Sequence, residues 1–181
     1  MAHTEIALLR GINVGKAKRV AMADLKALVE DLGYRDVRTL LNSGNVVFTV
    51  PSGAPGRSGA RIEKALVART GVASRVTVIT GAELATIVEK NPLAKVAKDP
   101  SRFLVAFLAN PADRPRLAPM LKQDWGKGSL ALGARVAYLW CPDGLLASPL
   151  AAAVGRALGD AVTTRNWTTV IKLHALAEDG R

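Results

Sequence analysis

The sequence predicts an α+β fold built as a tandem duplication of two ferredoxin-like halves, each βαββαβ plus an extra helix, with antiparallel sheets. Three observations carry that expectation. Strand-length apolar runs alternate with segments of helical period, in the same order twice. Each series holds two strand-like runs joined by a short glycine-containing gap, Ser43-Gly44 in the first and Gly133-Ala134 in the second. A charged connector over residues 95–102 separates the series, giving halves 1–94 and 95–181 packed together as one compact unit. The halves share order and turn placement but almost no identical residues, so the repeat is one of pattern.

In the first half, Ile6, Ala7, Leu8 and Leu9 read as a buried strand ending at Arg10-Gly11. Met22, Leu25, Leu28, Val29 and Leu32 recur at helical spacing, and Gly33 is a natural C-terminal stop. Residues 37–42 and 45–50 are strand-like around a two-residue hairpin turn. The Gly-, Pro- and Ser-rich stretch 51–59 is a loop. Ile62, Ala65 and Leu66 open a helix that stops before Gly71, and residues 76–79 form a strand. Thr80-Gly81-Ala82-Glu83 fits a capping box, in which hydroxyl and carboxylate satisfy each other's backbone N–H groups, and Asn91-Pro92 ends the helix it opens.

In the second half, residues 103–108 are a strand and 116–122 a short helix with Leu117, Met120 and Leu121 inward. Residues 129–132 and 135–140 form a hairpin in which Gly133 leads a type II′ turn. Ser148 as N-cap and Pro149 at the first helical position open a helix carrying Leu150, Val154 and Leu158, closed by Gly159. Residues 161–164 are a strand, and 168–178 the last helix.

Composition narrows the class of protein. The chain has 181 residues, 49% of them hydrophobic but only 4% aromatic, and its mean hydropathy is +0.17. No apolar run approaches the roughly 18 residues of a membrane span, and no signal-peptide pattern opens the chain. The single cysteine, Cys141, excludes an internal disulfide and a multi-cysteine metal site. The expectation is a cytoplasmic protein, monomer or homodimer, with no membrane partner. The formal charge of +10 and pI near 10.3 suit a nucleotide, nucleic acid, another phosphorylated ligand or an anionic surface as partner, although the 25 Lys and Arg are scattered from Arg10 to Arg181 without a long block, as a merely solubilising charge would be.

In a βαββαβ plan the first two strands run parallel, so the end of strand one and the hairpin tip lie at the same end of the sheet. Arg10, Asn13, Gly15, Lys16, Lys18 and Arg19 thereby approach Asn42, Ser43 and Asn45. Cations, amides, a hydroxyl and glycine N–H groups together suit a phosphate or carboxylate. Taken singly, Asn and Ser at turn tips usually bond their own backbone. The loop is one residue short of a Walker A motif and lacks its Ser or Thr. Arg165 and Asn166 form a second candidate before the last helix, with Asn166 able to cap it and Arg165 facing solvent. Tyr138 and Trp140 share one strand face, which sheet-surface RNA binders use for stacking, but the aromatic pattern of those binders is absent and packing is favoured. His3, His174 and Cys141 form no recognisable catalytic set, and no motif calls for a metal or a cofactor.

The stretches Arg10-Gly-Ile-Asn-Val-Gly15, Met22 with Leu25, Ser43-Gly44-Asn45-Val-Val-Phe48, Asn91-Pro92, Tyr138-Leu139, Pro142-Asp143-Gly144 and Thr164-Arg165-Asn166-Trp167 stand in order. Together they resemble the bacterial domain of unknown function 1697 family over nearly the whole chain. The resemblance implies two similar α+β halves and no established activity. Two positions depart from the family's pattern: Lys16 stands where a second glycine is usual, and Asn42 where Gln is common. Three functional readings follow. The first is a binding module for an anionic ligand at the 10–19 loop and the 42–45 tip. The second is an enzyme acting on a small phosphorylated or carboxylated substrate at the same place. The third is a homodimerisation or interaction domain whose loops are scaffold.

Overall fold

The structure, a computed structural model, describes residues 1–179. It is a mixed α+β protein with two four-stranded antiparallel sheets. The chain divides into two compact units, Met1–Ala85 with the chain from Leu173 onward, and Thr86–Lys172.

In the first unit β1 (His3–Leu9) is central, flanked by β3 (Asn45–Val50) and β4 (Val76–Thr80), with β2 (Arg35–Leu40) outside β3. All three pairings are antiparallel. Helices α1 (Met22–Asp31) and α2 (Ser58–Thr70) bring Leu25, Leu28, Val29, Ile62 and Leu66 into one core with Ala7, Leu9, Val46 and Phe48. Each such aliphatic contributes about 1.5–3 kcal/mol by leaving water. Gly33, at φ +88, ends α1 as expected, donating to Glu30 O at 2.9 Å.

The hairpin differs from the two-residue turn read from the sequence. Leu40 pairs with Asn45, so residues 41–44 form a four-residue loop with Leu41 at φ +58 and Gly44 at φ +83. The cause is local: the Asn45 amide donates to Leu40 O at 2.7 Å and closes the ladder early. Helix α2 begins at Ser58, ahead of its first apolar position, where the Ser58 hydroxyl donates to the Glu5 carboxylate. The capping box before α3 (Gly81–Glu89) is formed as expected. Thr80 N–H donates to Glu83 Oε2 at 2.7 Å, and Glu83 N–H to Thr80 Oγ1 at 3.1 Å.

In the second unit β5 (Phe103–Leu108) is central, with β7 (Val136–Trp140) and β8 (Val162–Asn166) beside it and β6 (Ser129–Leu132) outside β7. The expected short helix is a longer 3-10 helix, Pro111–Lys122, capped by the Asn110 side chain. Pro115 and Pro119 lie inside it, and a proline ring there would clash with the carbonyl four residues back in an α-helix, which disfavours α-helical winding. Leu117 is fully buried, but Leu121 is 50% exposed and not inward. The second hairpin also shifts. Gly133 N–H donates to Val136 O at 2.8 Å, so the reversal lies at Ala134-Arg135, and Gly133 does not have the positive φ of a type II′ turn. Glycine is needed there for space, because a Cβ would sit 2.9 Å from Val136 Cγ2. Helix α4 (Pro149–Leu158) has the expected Ser148 cap, at 3.1 Å from Ala151 N, and α5 (Trp167–Glu178) follows β8 directly. Among the described residues no helix is long and apolar enough to cross a membrane.

Candidate anion-binding site

Because β1 runs antiparallel to both neighbours, its C-terminal end meets the starts of β3 and β4. Leu8 lies opposite Asn45, and Leu9 opposite Val76. Leu9 N–H donates to Gly44 O at 2.8 Å and Arg10 N–H to Arg75 O at 2.9 Å. The sequence reading placed the hairpin tip here but missed Ser74 and Arg75. Antiparallel pairing of β1 with β4 was the signal that could have found them. The Ser74 hydroxyl receives Arg10 N–H at 3.1 Å and lies 2.8 Å from Arg10 O, pinning the backbone of Arg10 while its side chain stays exposed.

The loop from Arg10 to Val20 is held at two apolar anchors. Ile12 and Val20, both in the core of the first unit, are 2% and 5% exposed, and residues 14–19 between them are exposed. Asn13 clamps this loop. Its Nδ2 donates to Val20 O and to Asn42 O, each at 2.8 Å, and its Oδ1 accepts from Val20 N–H at 2.9 Å. The clamp ties the loop directly to the hairpin tip. Gly44 fits below it: a Cβ there would lie 2.7 Å from both Leu9 Cβ and Ile12 Cδ1.

Strain gathers at this end. Asn13, Lys18 and Leu41, at φ +55, +50 and +58, are three of the five non-glycine residues with positive φ among the described residues, and Gly11 and Gly15 add φ +65 and +61. Left-handed backbone at ordinary residues persists only where the surroundings enforce it, and it concentrates at functional segments.

The expected site residues separate into two groups. Arg10, Gly15, Lys16, Asn42 and Ser43 are exposed, together with Lys18 and Arg19. Asn13 and Asn45 commit their amides to protein groups. Asn45 is fully buried and donates to Leu40 O and, at 2.9 Å, to Ser43 Oγ.

Arg165 and Asn166 lie in the second unit and serve its local structure. Asn166 Oδ1 accepts from Thr169 N–H and Thr169 Oγ1, both at 2.9 Å, and so caps α5. Arg165 does not face solvent as the sequence suggested. It is 9% exposed within β8, its Nη1 donates to Thr164 O at 2.9 Å, and desolvation lowers its pKa to about 10. The sequence ended that strand two residues early, which put Arg165 in a loop. The aromatic residues pack: Trp167 lies 4.9 Å from Phe103 between ring centroids, Tyr138 stacks on the same ring at 6.3 Å, and the Tyr138 hydroxyl donates to Ile87 O at 2.9 Å.

His3 pairs with Glu5 at 3.1 Å and His174 approaches Glu178 at 3.8 Å. Cys141 is buried, and desolvation raises its thiol pKa against a weaker opposing effect of Ser148. Among the described residues no group of three or more His, Cys, Asp or Glu side chains could hold a metal ion.

Fold and site together define a class: an α+β protein of two sheet-bearing units, the first with a strained basic loop end. The chain belongs to the family described as a protein of unknown function, DUF1697, whose model matches residues 2–138. It is similar in structure to the conserved bacterial protein SP0830 from Streptococcus pneumoniae, with a TM-score of 0.73 and 21% identity, over 98% of this chain and 99% of that one. At that identity the likeness concerns the fold. No curated protein matches the chain.

Proposed function

We propose that the protein is a binding module for an anionic, phosphate-bearing ligand, held by the 10–19 loop and the 42–45 hairpin tip and working in the cytoplasm. The observation that supports this reading is the Asn13 clamp. One amide spans two segments 29 positions apart and holds the strained loop against the tip, with the Arg10 and Lys16 side chains exposed. Asn13 and Asn45 are positioning residues, while Arg10, Lys16, Asn42 and Ser43 make the contacts. Gly15 offers backbone that no side chain shields. Arg165 and Asn166 maintain the second unit and fall outside the site. The two sheets share one strand order, which supports reading halves 1–94 and 95–181 as copies of a ferredoxin-like plan.

The test is thermal stability of wild type and Arg10→Ala/Lys16→Ala against a panel of nucleotides and sugar phosphates. Exposed basic side chains are each worth less than about 0.5 kcal/mol to folding, so the variant keeps its melting temperature. Charge-assisted contacts are worth about 1.5–3 kcal/mol each, so it loses the ligand-induced shift. A wild type that no phosphate compound stabilises, with a variant that unfolds, would make the loop scaffold.

A further inference from the structure

We propose that the anion held at this end of the first sheet is the phosphate backbone of double-stranded nucleic acid, an inference that rests on the binding reading above and names its partner. Three observations point to it. The first is spread. Arg10, Lys16, Lys18, Arg19 and Arg75 come from stretches that β-pairing gathers at one sheet end, and all are exposed, Arg75 in a loose ion pair with Glu63 at 3.9 Å. Charges distributed over open surface match a polyanion with regularly spaced phosphates, whereas a small ligand is held by groups converging in a concave site.

The second is the residue types present. Segments 10–20, 41–45 and 73–76 contain no aromatic side chain. Unpaired bases therefore have no ring here to stack on, and single-strand binders depend on such rings. What remains is phosphate recognition, which suits a duplex.

The third is a pair of exposed aliphatics. Leu41 is held at φ +58, where a bulky side chain is disfavoured, yet it is 52% exposed and gains little from burial. Val14 is 71% exposed. They flank the Asn13–Asn42 hydrogen bond, so both stand at the junction of loop and tip, among the cations. An apolar residue carried on a basic tip is the arrangement by which proteins wedge into a duplex groove.

The experiment is fluorescence anisotropy of the full chain with a labelled duplex of about 20 base pairs, its single strand, and vesicles carrying anionic lipid. The duplex is expected to bind more tightly than the single strand and to weaken about a hundredfold between roughly 50 and 200 mM salt. Lys16→Ala/Arg19→Ala should make the log–log salt slope shallower by about two. Leu41→Asn separates site from scaffold, because Asn tolerates left-handed backbone. Its melting temperature should equal or exceed wild type while duplex affinity falls about fivefold or more, in line with loss of an apolar wedge. Equal affinity for both nucleic acids, vesicle binding without duplex binding, or unchanged affinity in Leu41→Asn would each overturn the inference. If the duplex fails but pyrophosphate or a nucleotide stabilises wild type and not Lys16→Ala, this inference falls and the anion-binding reading stands. If nothing binds, both fall.

Discussion

The carboxamide of Asn13 satisfies three backbone groups from positions 20 and 42 while its own backbone sits at φ +55. Each such bond is worth about 1 kcal/mol net, and a non-glycine, non-Asx residue in the left-handed region costs about 1 kcal/mol more. Asn13→Ala is therefore expected to lower stability by about 2–4 kcal/mol, read from urea denaturation. Asn13→Gly keeps the backbone freedom and loses only the bonds, so it should fall between. Equal stability of Asn13→Ala and wild type would mean that loop and tip hold together without the amide. Arg10 contrasts with it: both residues are polar and lie in the same glycine-containing loop, but Asn13 spends its side chain inward and Arg10 outward.

Among the elements, caps decide more than helical period. Helix α5 starts at Trp167 because Asn166 accepts from the backbone and hydroxyl of Thr169. Loss of such a cap costs about 1 kcal/mol. Asn166→Ala should lower the melting temperature correspondingly, while Asn166→Asp, which keeps the acceptor and adds negative charge at the helix's positive end, should match or exceed wild type. A melting temperature unchanged in both would show that packing alone sets the start of α5. The 3-10 helix teaches the opposite lesson, since Pro115 and Pro119 dictate its winding where apolar spacing had suggested an ordinary helix.

At the scale of the whole molecule, burial of ionisable groups makes stability depend on alkaline pH. Desolvation raises the pKa of Cys141 and of Tyr138 in the folded state. Both groups bind protons more tightly when folded, so their contribution is complete below the ordinary pKa values and is lost as pH rises through the folded ones. Melting temperature should accordingly decline between about pH 9 and 10, above which the lowered pKa of Arg165 acts in the opposite sense, and Cys141→Ala should flatten the first part of that decline. The same burial predicts that the single thiol reacts with a disulfide reagent only after denaturation. Rapid reaction in the native state would contradict the packing around Cys141. The net charge of +10 acts at this scale too, as a long-range positive potential that salt screens.

Sequence alone determined what depends on neighbours along the chain. The Thr80–Glu83 capping box, the Ser148-Pro149 start of α4 and the Gly33 stop of α1 form as read, because each is closed by atoms a few residues apart. The joining of the 10–20 loop to the hairpin tip was legible as well, since it follows from strand direction. Tertiary structure decided the fate of the polar side chains. Whether Asn13 and Arg165 meet solvent or protein depends on partners and strand ends that no local pattern encodes, and even the partners of Asn45, two and five residues away, come within reach only once the hairpin closes. Asn45 closes a longer hairpin loop than the Ser-Gly pair suggested, and β8 runs on through Arg165 because β5 pairs with it as far as Asn166. Ser74 and Arg75 reach the 10–20 loop for the same reason: they are distant in sequence and arrive only when β4 pairs with β1. A side chain's chemistry is written in its type, but its use depends on which backbone groups the fold leaves within reach.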